Sequence, residues 1–283
     1  MQITGLFIYP IKACQGISLT QAEVTPQGLA GGHHGCAFGD RQFMLVDGQG
    51  TFLTQRQYPQ LAQIGVQLTG EQLTLSYPNQ TSLIFTPTLV GVEREVQVWR
   101  DRLIAIDQGD DVAQWFESVL GHQLPVRLVC QTPQHPRAID PNYTNQQFKP
   151  VSFADGYPLL VTATASLDDL NQRLRAKYQD ATHAVPMDRF RPNVVIETPI
   201  PFVESNWSQI QIHQVVLALV KPCSRCLVTT TDQQTGDRHP LQEPLATLSD
   251  FRQVPHQGIL FGENAIPLQT GTLKLGDPVQ ILA

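Results

Sequence analysis

The chain has little of what marks a membrane, secreted or nucleic-acid-binding protein. No apolar run in its 283 residues approaches the roughly 20 that a spanning helix needs. The opening Met1-Gln2-Ile3-Thr4-Gly5-Leu6-Phe7-Ile8-Tyr9-Pro10 has no basic segment and no small-residue cleavage site, so a secretory signal is not expected. Lys and Arg number 19 against 25 Asp and Glu, a formal net charge of −6, which argues against a phosphate-backbone partner. The five cysteines are an odd number without a dense framework and suggest a reducing compartment. Repeats and low-complexity segments are absent. What remains is a cytoplasmic globular protein, with neither membrane nor nucleic acid among its expected partners, long enough for one large domain or two intimately packed ones.

What is present reads mostly as short strands joined by turns. Leu6-Phe7-Ile8-Tyr9, Phe43-Met44-Leu45-Val46 and Leu73-Thr74-Leu75-Ser76-Tyr77 are rich in β-formers, and Asp47-Gly48-Gln49-Gly50 is a hairpin-loop signal. A helix is expected after Asp111, capped by it with Gln114 at capping-box spacing. Val112, Trp115, Phe116, Val119 and Leu120 lie on its inner face, and Gly121 stops it. Residues 131–149 are rich in Pro, Gln and Asn and predict a long connection. A second helix is expected over Ser166–Tyr178 with Ser166 and Asp169 as a capping pair. Strands then dominate again: Asn193–Ile196, Ile210–Ile212, Val215–Val220 and the tail around Gly271–Val279. The expectation is a β-rich α+β fold with a barrel-like C-terminal half.

The densest chemistry lies in Lys221-Pro222-Cys223-Ser224-Arg225-Cys226-Leu227-Val228-Thr229-Thr230. Two thiols and a guanidinium fall within four residues, and a neighbouring cation favours the thiolate, a soft metal ligand. The readings open at this point are half of a zinc site, a redox dithiol, a single thiolate on a metal cofactor, and two packed cysteines. Zinc lacks a second close pair, because Cys14, Cys36 and Cys130 are scattered and His239 and His256 lie far apart. A thioredoxin-like dithiol belongs at an early strand-to-helix junction, whereas this one precedes Leu227-Val228-Thr229-Thr230-Thr231, a strand-like run late in the chain. His33 and His34 in the Gly-rich segment have no carboxylate at ligand spacing and read as solvated.

Six segments taken in order resemble the MOSC-domain family, in the group where a MOSC N-terminal β-barrel domain precedes the MOSC domain and which includes bacterial and mitochondrial amidoxime-reducing molybdenum enzymes. They are Tyr9-Pro10-Ile11-Lys12, Asp40–Asp47, Thr54-Gln55-Arg56, Arg189-Phe190-Arg191-Pro192-Asn193, Cys223–Cys226 with Asp232 and Gly236 behind it, and Gly271–Val279. The resemblance covers nearly the whole chain and implies an N-terminal domain over residues 1–130 and a MOSC domain over residues 131–283, closely packed together.

It also implies molybdenum cofactor, a pterin dithiolene bearing a phosphate, with Cys226 as the metal ligand and Cys223 as a packed thiol. Arg41, Arg56, Arg191 and Arg225 would supply planar donors to the phosphate and pterin, Lys12 a point charge, and Asn193 an amide. Asp155 matches an acidic position beside the metal and is expected to relay protons. Gly156 and Tyr157 follow it where relatives have small hydroxylated residues, and Ala13 follows Lys12 where they often have Ser. The activity implied is reduction of an N-hydroxylated compound, or a related N- or S-oxide. Clustered cysteines of a ferredoxin domain are missing from this chain, so the electrons would come from a separate ferredoxin or flavoprotein. The rival expectation is a cofactor or sulfur carrier that uses Cys226 without turnover of its own.

Overall fold

The computed structural model describes residues 1–31 and 38–283; His33, His34 and Cys36 lie outside the described residues. The elements that carry the site are, in chain order, β1 (Ile3–Ile8), β2 (Phe43–Asp47), β3 (Glu93–Val98), β4 (Asp101–Asp107), α1 (Asp110–Val119) and β5 (Val126–Cys130). Then follow β6 (Leu159–Ala163), α2 (Thr164–Tyr178), β7 (Val194–Ile196), β8 (Gln209–Ile212), β9 (Val215–Arg225), α3 (Leu245–Arg252) and β10 (Gly258–Gln269). The architecture is β-rich α+β, as expected.

One nine-stranded sheet organises the molecule, and it draws on both ends of the chain. Its order is Ile17–Leu19, β1, β7, β6, β10, β9, β8 and Gln280–Ile281, with a ninth strand, Gln253–Val254, paired to β10 beside this path. β6 and β7 are parallel while their outer neighbours run antiparallel. N-terminal β1 thus sits inside a sheet otherwise built mostly from the C-terminal half, with Ile3, Leu6 and Ile8 in one core with Val161, Val194, Leu217 and Leu273. Gly271–Lys274 answers this exchange by pairing with Gln21–Thr25. A four-stranded sheet, β3-β4-β5-β2, packs with α1 around a second core that includes Phe43, Leu45, Trp115, Phe116 and Leu128. Successive side chains of a strand point to opposite faces, and β2 is buried on both: Phe43 and Leu45 enter this core, while Met44 and Val46 enter another with Val96, Val98 and Phe153.

Three local expectations are corrected. α1 begins at Asp110 behind Gly109, with no side-chain cap; Asp110 and Asp111 both lie in its first turn, where carboxylates favour the helix dipole. α2 starts at Thr164, and Ser166 is buried with its hydroxyl donating to both oxygens of Glu204 at 2.7 and 2.9 Å, while Asp169 pairs with Arg173 at 2.7 Å. The third concerns Leu227–Thr230, expected as a strand and found as a 3-10 turn. The Thr229 and Thr230 hydroxyls donate back to the carbonyls of Cys226 and Leu227. Such local side-chain bonds compete with a sheet ladder and override β-branched propensity.

Glu263 on β10 is 4 % exposed with one carboxylate oxygen unpartnered. Burial pushes its carboxyl up from 4.5 to about 7, with buried Glu204 adding to the rise. A raised carboxyl keeps its proton in the folded state after the unfolded chain has lost it, so stability falls as pH rises from about 4.5 to about 7. Glu263→Gln should therefore match the wild type near pH 4 and exceed it at pH 8 by up to roughly 3 kcal/mol, a difference that denaturant melts at the two pH values measure directly.

Candidate functional site

A cavity of about 300 Å³ opens where the two halves meet, and all eight residues singled out in the sequence line it: Lys12, Arg41, Arg56, Asp155, Arg191, Asn193, Arg225 and Cys226. They arrive from strand ends. Lys12 follows β1, Arg41 precedes β2, and Arg191 and Asn193 precede β7. β9 runs past its bulges against β10 as far as Arg225, Pro222 being tolerated where the ladder is irregular. The 3-10 turn then stops the strand and leaves Cys226 exposed at the cavity edge. Gly236, in the turn behind it, has φ +72, and a Cβ there would meet Gln63 Nε2 at 2.9 Å; the turn requires glycine.

The floor is a stack that composition does not reveal. Tyr9 is buried with two guanidiniums over its ring, Arg41 at 4.4 Å and Arg191 at 4.2 Å from its centroid, and its hydroxyl donates to Pro192 O at 3.2 Å. Desolvation outweighs both cations and raises the phenol's pKa, so Tyr9 stays neutral and offers its π-faces. Arg41 ion-pairs with Asp40 and donates to Asn193 Oδ1 and Arg191 O, both at 3.2 Å; burial opposes its charge, and Asp40 more than restores it. Arg191 donates one nitrogen to Gln233 Oε1 at 3.1 Å. Its other terminal nitrogen is buried without an acceptor, and burial brings its pKa down to about 10.

Asn193 lines the cavity and also holds its walls together. Its oxygen accepts from Leu160 N and Arg41, and its nitrogen donates to Phe7 O. The amide therefore ties β1 and β6 to Arg41, and because its nitrogen carries two N–H groups, the donation to Phe7 O leaves one for a ligand in the cavity that Asn193 lines.

On the open side, Lys12 Nζ donates to Phe153 O at 2.8 Å and to Asp155 Oδ1 at 2.5 Å. Trp99 Nε1 donates to the same oxygen at 3.1 Å, while the Trp99 ring meets Phe52 at 5.0 Å and the Arg56 guanidinium at 4.7 Å. The Asp155 side chain is 75 % exposed, so although desolvation by the surrounding walls opposes its charge, Lys12 and Trp99 prevail and hold the carboxyl well below the usual range. Burial lowers the Lys12 ammonium's pKa against the pull of Asp155. At neutral pH Asp155 is an anion pinned by two donors, which makes it an acceptor and anchor in this state more readily than a proton donor.

The thiols also separate. Cys223 is half-buried and its sulfur accepts from Arg225 Nη1 at 2.8 Å; Arg225 Nη2 donates to Phe190 O, and its buried Nε has no acceptor. Cys14 and Cys130 are fully buried, and burial pushes both thiols up to about 12. Among the described residues no group of three or more His, Cys, Asp or Glu could hold a metal ion by itself, so the half-zinc reading finds no partner ligands there.

These features suit a phosphorylated, metal-bearing pterin. Five cations line the cavity, opposed in direct contact among the described residues by Asp40 and Asp155. Two of those cations bury an N–H with nothing to accept it, a cost that an anionic oxygen would relieve. One exposed thiol, Cys226, stands at the rim, where it could ligate a metal.

Sequence reasoning missed Tyr9, Trp99 and Arg137. Tyr9 lay inside a motif already noted, beside Lys12, and that proximity was a signal. Trp99 occupies a hairpin turn with φ 55, and Arg137 lies in the stretch without periodicity; nothing in the sequence linked either to Asp155.

Residues 1–123 match the family described as MOSC N-terminal beta barrel domain, and residues 149–280 match the MOSC domain. The chain is 35% identical to the human mitochondrial amidoxime-reducing component 1 and 36% identical to the mouse protein of that name, covering 99% of this chain and 82% of each relative. It is also 30% identical, over 93% of its length, to a rice molybdenum cofactor sulfurase, of which it spans 32%. On matches to both domains and near-full-length identity at this level, the chain belongs to the MOSC family, in the group that joins a MOSC N-terminal β-barrel domain to a MOSC domain.

Proposed function

We propose that the protein is a molybdenum-cofactor oxidoreductase that reduces N-hydroxylated compounds of the amidoxime or hydroxylamine type, or related N- or S-oxides, with electrons from a separate ferredoxin or flavoprotein. The observation that carries this reading is the single cavity in which an accessible thiol, unsatisfied buried arginine N–H groups and an ionised carboxylate converge. The names of the human and mouse relatives supply the reaction type. On this reading the two halves act as one cytoplasmic unit divided near residue 130, and no helix is long and apolar enough to cross a membrane among the described residues.

Cys226 would hold the metal, while Arg191 and Arg225 would donate their unpartnered N–H groups to phosphate and pterin oxygens and Lys12 and Arg56 would add positive charge. When bound, the cofactor supplies the two-electron oxygen-transfer chemistry. The chain orients the substrate against the Trp99 and Phe52 rings and accepts its N–H groups on Asp155, ionised at the cavity mouth. Overall, two electrons and two protons convert N–OH to N–H and water. Reduced methyl viologen with benzamidoxime tests this: the account expects amidine formation in proportion to the molybdenum content of the preparation.

Cys226, being exposed, also suits a carrier of cofactor or sulfur, and the rice relative is named a sulfurase. Loaded protein that passes its cofactor to an acceptor without reducing any N-oxygenated compound would favour that second reading.

A further inference from the structure

Asp155 sits on a turn whose four successive carbonyls are all held by cations. Arg137 donates to Ser152 O at 3.1 Å, to Ala154 O, and to Asp155 O at 3.1 Å. Lys12 takes the remaining carbonyl, that of Phe153. Arg137 is buried, and its Nε ion-pairs with Asp101 Oδ2 at 2.6 Å. Asp101 begins β4, two residues beyond Trp99, in the hairpin that joins β3 to β4.

That hairpin tip is tied to the Asp155 side in three ways. Trp99 donates to the Asp155 side chain, Asp101 holds Arg137, and Arg100 reaches Asp140 at 3.5 Å, only three residues beyond Arg137. A buried guanidinium that spends its donors on three carbonyls and one carboxylate fixes geometry, because its planar fork allows few alternative arrangements. Arg137 itself does not line the cavity.

We infer that Arg137, anchored by Asp101, is a positioning residue that holds the Asp155 carboxylate and the Trp99 indole against each other across the two halves of the protein. This rests on the reading of the cavity as a reaction site, because only there does the placement of Asp155 affect turnover. Without the clamp, the 152–155 turn and the hairpin tip separate, and the carboxylate keeps its charge but loses its place.

Two readouts test the inference. The first needs no bound cofactor: Trp99 is 39 % exposed whereas Trp115 and Trp207 are 8 % and 6 % exposed, so acrylamide quenching of tryptophan emission follows Trp99. Arg137→Gln and the milder Asp101→Asn should roughly double the quenching slope through local opening, with thermal melts showing that the variants remain folded. The second is a double-mutant cycle in the cofactor-loaded protein. Displacement of this order costs up to about 100-fold in kcat/KM; we expect about 10-fold for Asp101→Asn, and no further loss when Asp101→Asn is added to Asp155→Asn, since residues acting through one another are not additive.

An unchanged quenching slope in folded variants would overturn the clamp. A raised slope with kcat/KM unaltered, or with losses that add in the double variant, would overturn its positioning role. If the wild type shows no turnover, the proposed function fails on that result, and the clamp is decided by quenching alone.

Discussion

Cys226→Ala abolishes turnover while leaving the fold intact: this is the largest single effect the structure leads us to expect. Loss of groups that merely support a metal ligand costs 10–100-fold, so loss of the ligand itself should exceed about 100-fold. The stability change should stay within about 0.5 kcal/mol, the usual range for an exposed position away from packing, because Cys226 is exposed and its side chain does not cap the turn that follows it. The contrast with Cys14→Ala sharpens the test. Cys14 is fully buried in the core that includes Ile11 and Phe43, so that change should lower the melting temperature and spare the activity of whatever protein remains folded. Parallel melts and viologen-driven assays on the two variants separate a chemical loss from a structural one.

The second large effect concerns Arg191, and its two parts have opposite signs. The guanidinium is buried, its pKa is brought down by desolvation, one terminal nitrogen is unpartnered, and no carboxylate hydrogen-bonds it. A buried cation left in this state destabilises the ligand-free fold, and replacement by an apolar side chain of similar length is commonly neutral or stabilising by about 1–3 kcal/mol. Arg191→Met should therefore raise the melting temperature of cofactor-free protein by a few degrees, net of the lost stacking on Tyr9. The same change removes one of the guanidiniums that line the cavity, so the variant should purify without cofactor. Greater stability with lost function is the pattern of a site shaped for a ligand. A variant that retains the cofactor, or one that unfolds, contradicts this account of Arg191.

The site was legible in the sequence to the extent that its chemistry resides in residue types at strand ends. Lys12, Arg41, Arg56, Arg191, Arg225 and Cys226 stand in short motifs, and the sheet order brings those strand ends together. What each side chain does there was less visible, because it depends on partners far away in the chain. The amide of Asn193 binds Phe7, 186 residues away, and Arg41 as well as facing the cavity. Asp155 meets Lys12 across 143 residues and Trp99 across 56, and those two donors set its charge state in a way its sequence neighbours do not show. The Leu227–Thr230 turn defeated propensity for the opposite reason: its threonines bond to carbonyls three residues back, a local preference that β-branching masks. The strand alternation of the first half and the inner face of α1 were readable because hydrophobic period alone determines them.

The central claim is that this cavity holds molybdenum cofactor through Cys226, and the most direct measurement is the molybdenum and pterin content of the purified wild type and of Cys226→Ala, both expressed in a host that makes the cofactor. The account predicts near-stoichiometric molybdenum with pterin in the wild type and loss of the metal in the variant. A wild type without molybdenum, or a variant that retains it in full, would contradict the claim.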